Sequence, residues 1–149
     1  ERREISGPIM EIYLLRHGGL PLEEIEKVTG ALAVRLSNGK KPRSPGQLAG
    51  HYYPSAKLLL LGKKKPELKK GLRYGYLAFT AKPALKVKKS VVLSPSGNLK
   101  EAAANLFSAL HKLDNAGLDI ILAEPVPLRG LGRAIMARLK RAAGARKLP

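Results

Sequence analysis

Residues 124–133 read Glu-Pro-Val-Pro-Leu-Arg-Gly-Leu-Gly-Arg, a stretch whose types and spacing suit anion binding. Gly130-Leu131-Gly132 follows an apolar run and opens an amphipathic segment, and the free amides of a helix start attract negative charge. Arg129 and Arg133 would add cations to Gly130 and Gly132. The third glycine of a dinucleotide fingerprint is absent, since Ile135 stands there, and no acid follows at the ribose-binding spacing. The same glycines also suit a tight turn with close packing, so two readings stand. Further along, Arg138 borders the apolar face of its segment, with Glu124 the expected carboxylate partner. Near the other end, Arg16-His17-Gly18 closes a short apolar run, and a neutral imidazole is a good nucleophile near neutral pH. No Ser/His/Asp arrangement, paired carboxylates or P-loop accompanies these groups. Cysteine is absent and the three histidines have no ligand spacing, so neither a disulfide nor a metal site is expected.

The elements that must position these groups follow from hydrophobic period and punctuation. Glu11 to Arg16 reads as a strand, Gly18-Gly19 as a turn, and Pro21 to Val28 as a short helix with acids early. From Leu36 to Pro54 the Pro/Gly punctuation leaves little room for helix or strand, which marks a linker long enough for function to be suspected. Lys57 to Leu61, Gly75 to Thr80, Ser90 to Leu93 and Asp119 to Glu124 read as strands. The connection 62–74 is near the length of a parallel crossover, with a short helix over Pro66 to Lys70. Asn98 should cap a helix with Glu101 reaching back to it. Leu99, Ala102, Ala103, Leu106, Leu110 and Leu113 share that helix's apolar face, and Gly117 supplies the left-handed stop. A second amphipathic helix follows Gly132. The expected fold is therefore α/β: a small Rossmann-like parallel sheet flanked by helices, preceded by a linker and a strand-helix remnant of another domain.

Composition narrows the partners. The 149 residues allow one domain, or one domain and part of another, and they carry a net charge of +17. Residues 51–100 alone hold +11 of it, in Lys63, Lys64, Lys65, Lys69, Lys70, Arg73, Lys82, Lys86, Lys88 and Lys89 among others. Such a field attracts polyanions, with RNA the obvious candidate; a solvated lysine surface that aids solubility is the alternative. With two Phe and five Tyr, a base-stacking platform is poorly supplied, so RNA contacts would go to phosphates. No apolar run approaches membrane-spanning length and Glu1-Arg2-Arg3 has no signal-peptide core, so no membrane partner and a cytoplasmic location are expected. A start without methionine is what a piece of a longer protein would show.

Leu15-Arg16-His17-Gly18 at a strand end resembles the opening of the histidine phosphatases, which would make His17 the phosphate-accepting nucleophile. That family needs a second histidine, but His51 lies in the Pro/Gly stretch and His111 on an exposed helix flank. A much wider match exists. Ser44-Pro45-Gly46 with His51-Tyr52-Tyr53-Pro54 is similar to the interdomain linker of the two-domain threonylcarbamoyl-AMP synthases. Leu106-Phe107, Leu113-Asp114, Gly117 and the run Gly130 to Leu139 resemble that family's C-terminal domain. Ile5-Ser6-Gly7-Pro8 to Gly30 looks like the tail of its catalytic domain, with Leu15-Arg16-His17-Gly18-Gly19 where Leu-Arg-Pro-Gly-Gly is usual. His17 thus replaces a proline, and Leu48-Ala49-Gly50 replaces a Lys-Tyr-Arg found in some members.

The resemblance implies a division into residues 1–35, the tail of a YrdC-like catalytic domain; 36–55, the linker; and 56–149, a Rossmann-like accessory domain. It implies a parent nucleotidyltransferase that joins threonine, bicarbonate and ATP, with magnesium, into threonylcarbamoyl-AMP and pyrophosphate for tRNA modification. Arg16 would reach the nucleotide, and the His51-Tyr52 segment would contact ATP and fold over the active site. No catalytic residue falls in this stretch. Alone it is expected to be inactive and to bind no cofactor. Its partners would be the catalytic domain in cis and tRNA, through Lys63, Lys64, Lys65, Lys69 and Lys70. A basic RNA-binding module without catalysis is the competing reading.

Overall fold

The computed structural model of the chain describes residues 12–34, 54–62 and 66–144. Near the start, β1 (Tyr13–Leu14), α1 (Leu22–Thr29) and β2 (Ala33–Val34) form a βαβ unit whose strands pair in parallel, Tyr13 opposite Ala33. Glu23 and Glu24 in the first turn of α1 suit its positive end, and Gly30, at φ +76°, closes it with an N–H to the Glu26 carbonyl. A two-residue strand such as β2 is too short to show alternation, and nothing in the sequence marked it. Helix α1 buries no residue, and Ile12, Leu20, Val28 and Val34 are all exposed. Among the described residues, this unit buries no side chain in a core of its own.

The larger unit is a four-stranded parallel sheet. Its strands are β3 (Lys57–Leu60), β4 (Tyr74–Ala78), β5 (Lys89–Val92) and β6 (Ile120–Ala123), in the spatial order β3-β6-β4-β5. Helix α2 (Leu99–Asp114) packs over β4 and β5, α3 (Gly132–Gly144) packs over β3, and the helices touch each other. Both therefore lie on one face. There Leu58, Leu77, Ile121 and Ala123 of the sheet meet Leu106, Leu113, Ile135 and Leu139 of the helices. Each fully buried leucine stabilises by about 1.5–3 kcal/mol before entropy is counted. Gly75 lets Leu118 approach β4, because a Cβ there would come within 2.3 Å of Leu118 Cδ1.

The other face carries Leu59, Tyr74, Tyr76, Ala78 and Leu122, and no helix among the described residues covers it. Leu68 from the β3–β4 connection and Leu85 and Val87 from the β4–β5 connection pack there instead. The helix expected over Pro66 to Lys70 is absent: residues 66–69 are irregular and a turn follows at 70–71. With one apolar anchor among prolines, glycines and lysines, that segment has no face to bury, and the Lys69 N–H goes to the Tyr74 hydroxyl at 3.0 Å. The capping of α2 also differs from expectation. Asn98 does accept from the Lys100 and Glu101 amides, at 2.9 and 3.2 Å. Glu101, however, accepts from the Ser94 and Ser96 hydroxyls, and it is the buried Ser94 Oγ that takes the Asn98 N–H, at 2.8 Å. Gly117 does adopt the left-handed conformation, at φ +60°.

Two carboxylates tie strand starts together. Asp114, at the end of α2, accepts the Ser55 N–H at 2.6 Å and so pins the entry to β3. Asp119 accepts from the Arg73 N–H at 2.7 Å and from its guanidinium at 3.0 and 2.8 Å, joining the entries to β4 and β6. The Arg73 side-chain hydrogen bonds, then its N–H, hold the Asp119 carboxyl at about 2, below its ordinary 3.8. A depressed carboxyl stabilises the fold above its unfolded value and loses that contribution as pH falls through the folded one. The thermal-stability gap between the native chain and Arg73→Met should therefore be full above pH 5 and close between about pH 4 and 2. A gap that does not change with pH would break this account of the pair.

Candidate functional site

Of the groups singled out by their spacing, Gly130, Gly132, Arg133 and His17 come together at the start of α3. After β6 the chain turns through Pro125 to Leu131, with the buried Val126 N–H directed at the Met136 sulfur, 3.4 Å away. Gly130 sits at φ +50°, where side chains are strained. Gly132 has a different reason: a Cβ there would lie 1.9 Å from the Pro127 carbonyl oxygen. The tight-packing reading of the glycine pair therefore holds at Gly132. The helix start is not idle, however. The Glu23 carboxylate, from the first turn of α1, accepts the Gly130 N–H at 3.3 Å and a hydrogen bond from the Arg133 guanidinium. The chain's own carboxylate is the anion at this helix start.

Arg133, the Gly130 N–H and the Glu23 backbone hold the Glu23 carboxyl at about 2, with the Arg133 bond the largest cause. Its Oε2 is shielded from solvent and has no hydrogen-bond partner among the described residues. His17, partly buried, belongs to the same cluster. Burial, then repulsion from Arg133, lowers its proton affinity, and Glu23 partly offsets this. Glu23 was invisible to motif reading, because an acid in a first helical turn is ordinary. The signal was the pairing of that acid with an arginine at a glycine-opened helix 110 residues away, which only the fold reveals.

The remaining singled-out residues that the structure describes are mostly exposed. Arg129 is exposed and its carbonyl accepts the Gly132 N–H at 2.9 Å. Arg16 is exposed just beyond β1. Lys69 and Lys70 are exposed on the helix-free side, whereas Lys63, Lys64, Lys65, His51 and Tyr52 lie outside the described residues. His111 is exposed on α2, its ring stacked on Phe107 with centroids 6.5 Å apart. The expected Arg138–Glu124 tie does not form. Arg138 is exposed, and Glu124 instead accepts from the Tyr76 hydroxyl at 2.8 Å and the Phe79 N–H at 2.7 Å. Burial, with the Glu124 hydrogen bond second, pushes the Tyr76 hydroxyl up to about 12. Glu124 thereby occupies the C-terminal edge between β4 and β6, where open parallel sheets receive ligands. No group of three or more His, Asp or Glu side chains suited to a metal ion occurs among the described residues.

The geometry thus defines a class: a parallel α/β domain with its receptive positions filled by its own carboxylates, joined to a coreless βαβ unit. The family model described as "Threonylcarbamoyl-AMP synthase, C-terminal domain" matches residues 20–144, and the chain belongs to that family. The threonylcarbamoyl-AMP synthase of Pyrococcus abyssi is 36% identical over 149 aligned residues, covering 89% of this chain. That of Bacillus subtilis is 36% identical over 145, also covering 89%, and that of Schizosaccharomyces pombe 32% identical over 170, covering 96%. The chain spans 42% of the length of each. The crystal structure of P. abyssi Sua5 complexed with L-threonine superposes with a TM-score of 0.75 at 34% identity, over 90% of this chain and 43% of that one. A variant of the same protein, with an adjacent histidine and tyrosine both changed to alanine, superposes at 0.68 with the same identity.

The two glycines of the α3 start should respond differently to substitution. Gly130→Ala meets no neighbouring atom and should cost about 1 kcal/mol of backbone strain. Gly132→Ala must displace backbone and should cost more, about 1–3 kcal/mol or above. Urea unfolding of the two variants checks the order, and the reverse order would contradict the packing role of Gly132.

Proposed function

We infer that this chain is the C-terminal part of an enzyme that forms threonylcarbamoyl-AMP and pyrophosphate from threonine, bicarbonate and ATP for tRNA modification in the cytoplasm. In this reading the α/β domain is not itself catalytic: it carries the linker that closes over a catalytic domain joined in cis. The observation that supports it most is the coreless βαβ unit, with Val28 87% and Leu20 59% exposed. A helix with no buried residue needs the rest of a sheet to cover it, and a YrdC-like catalytic domain would supply that. The threonine-bound P. abyssi relative supports the substrate, and family membership supports the reaction class. ATP, with magnesium, would be held by the catalytic domain, with Arg16, His51 and Tyr52 reaching it from this chain.

His51-Tyr52 is the chain's only adjacent His-Tyr pair. A lid built from a Pro/Gly-rich segment excludes water from an activated intermediate at little loss of packing. In protein carrying the catalytic domain, His51→Ala with Tyr52→Ala should reduce threonylcarbamoyl-AMP formation at least tenfold or release the intermediate as hydrolysis products. The unfolding free energy of residues 56–149 should shift by no more than about 0.5 kcal/mol. Full activity, or an unfolded accessory domain, would overturn the lid.

The accessory domain's second role in this reading is contact with tRNA phosphates. Its support is placement: both lysine-rich connections cross the same helix-free face, held there by Leu68, Leu85 and Val87. Lys69, Lys70, Lys82, Lys86 and Lys88 are exposed along them. Changing Lys63, Lys64 and Lys65 to Gln should lower the log–log salt slope of tRNA binding by about two to three. Binding indifferent to these lysines would leave them as a solubility surface.

A further inference from the structure

The two ends of the linker are both anchored. Before it, β2 ends at Val34, paired with β1. After it, the Ser55 N–H is bound to Asp114 at 2.6 Å. The distance that residues 35–53 must bridge is therefore set by how the βαβ unit sits on the α/β domain. Glu23 holds that join. Its carboxylate reaches from α1 to Gly130 and Arg133, across 107 and 110 residues of sequence. Three attractions converge on it: a charged hydrogen bond, a backbone amide, and the positive end of a 13-residue helix.

We propose that Glu23, with Gly130 and Arg133, is a clasp that fixes the βαβ unit against the α/β domain and so sets the span between Val34 and Ser55. The inference rests on the lid reading above for its consequence, but not for its geometry. Glu23 acts as a positioning residue, through the relative placement of the two units it joins. Because its carboxyl is held at about 2, the clasp stays charged throughout the neutral range and is not a pH switch. Salt is the natural lever on a half-exposed ion pair.

The chain has no cysteine, so spin labels can be placed at will. Val28→Cys on α1 and Lys140→Cys on α3 are exposed positions on helices of the two units. Pulsed dipolar spectroscopy of the doubly labelled 149-residue chain should give one narrow distance. Glu23→Ala or Arg133→Met should broaden it, as should 1 M NaCl, where the Debye length falls to about 3 Å. Glu23→Gln keeps an acceptor for the Gly130 N–H while removing the charge, so it should broaden the distance less than Glu23→Ala. Circular dichroism should show the α/β domain folded in every variant. A narrow distance in both Glu23→Ala and Arg133→Met would overturn the clasp, and so would Glu23→Gln broadening it as much as Glu23→Ala. The readout needs no substrate, so failure of the lid reading leaves this result intact, and failure of the clasp leaves the lid assay unchanged.

Discussion

A parallel sheet imposes one constraint on everything attached to it: each strand must be followed by a connection that travels back across a face. In this chain the connections after β5 and β6 are helical, and both helices lie on one face. Those after β3 and β4 are too rich in lysine, proline and glycine to bury a helical stripe. Their described residues cross the opposite face without helix or strand, each held by one or two apolar anchors, Leu68 on one and Leu85 with Val87 on the other. The domain is therefore two-sided, with one face stabilised by helix packing and the other cloaked in basic loops.

Where a small α/β domain would receive an anion or a polar ligand, a carboxylate of this chain is already bonded. Glu101 holds the hydroxyls before α2, Glu124 bridges the edge of β4 and β6, and Glu23 covers the start of α3. Asp114 and Asp119 bind amides at strand entries. With 11 acids against 28 lysines and arginines, the chain keeps a net charge of +17. In the proposed reading, the domain serves a catalytic domain joined in cis through placement and charge.

Much of this was legible in the sequence, for identifiable reasons. The helix over Leu99–Asp114 announced itself by apolar spacing and an asparagine cap, and the strand over Ile120–Ala123 by a β-branched run between turns. Those are local signals. The crossover helix failed because length permitted it while composition did not. The Arg138–Glu124 pairing failed because Tyr76, a strand away, outcompeted it for the carboxylate, and a sheet register is not local. Glu23 was missed for the same reason at greater range. The family resemblance was readable because its linker and α3 motifs are specific, and the family match over residues 20–144 agrees with it.

The central claim is that this chain completes an active site without containing one. The direct measurement is pyrophosphate release dependent on both threonine and bicarbonate, compared between the 149-residue chain alone and the chain joined to a family catalytic domain. The account predicts no such release from the chain alone and turnover from the joined protein, with threonylcarbamoyl-AMP as the product. Turnover by the isolated chain, or a joined protein that is folded yet inert, would contradict it.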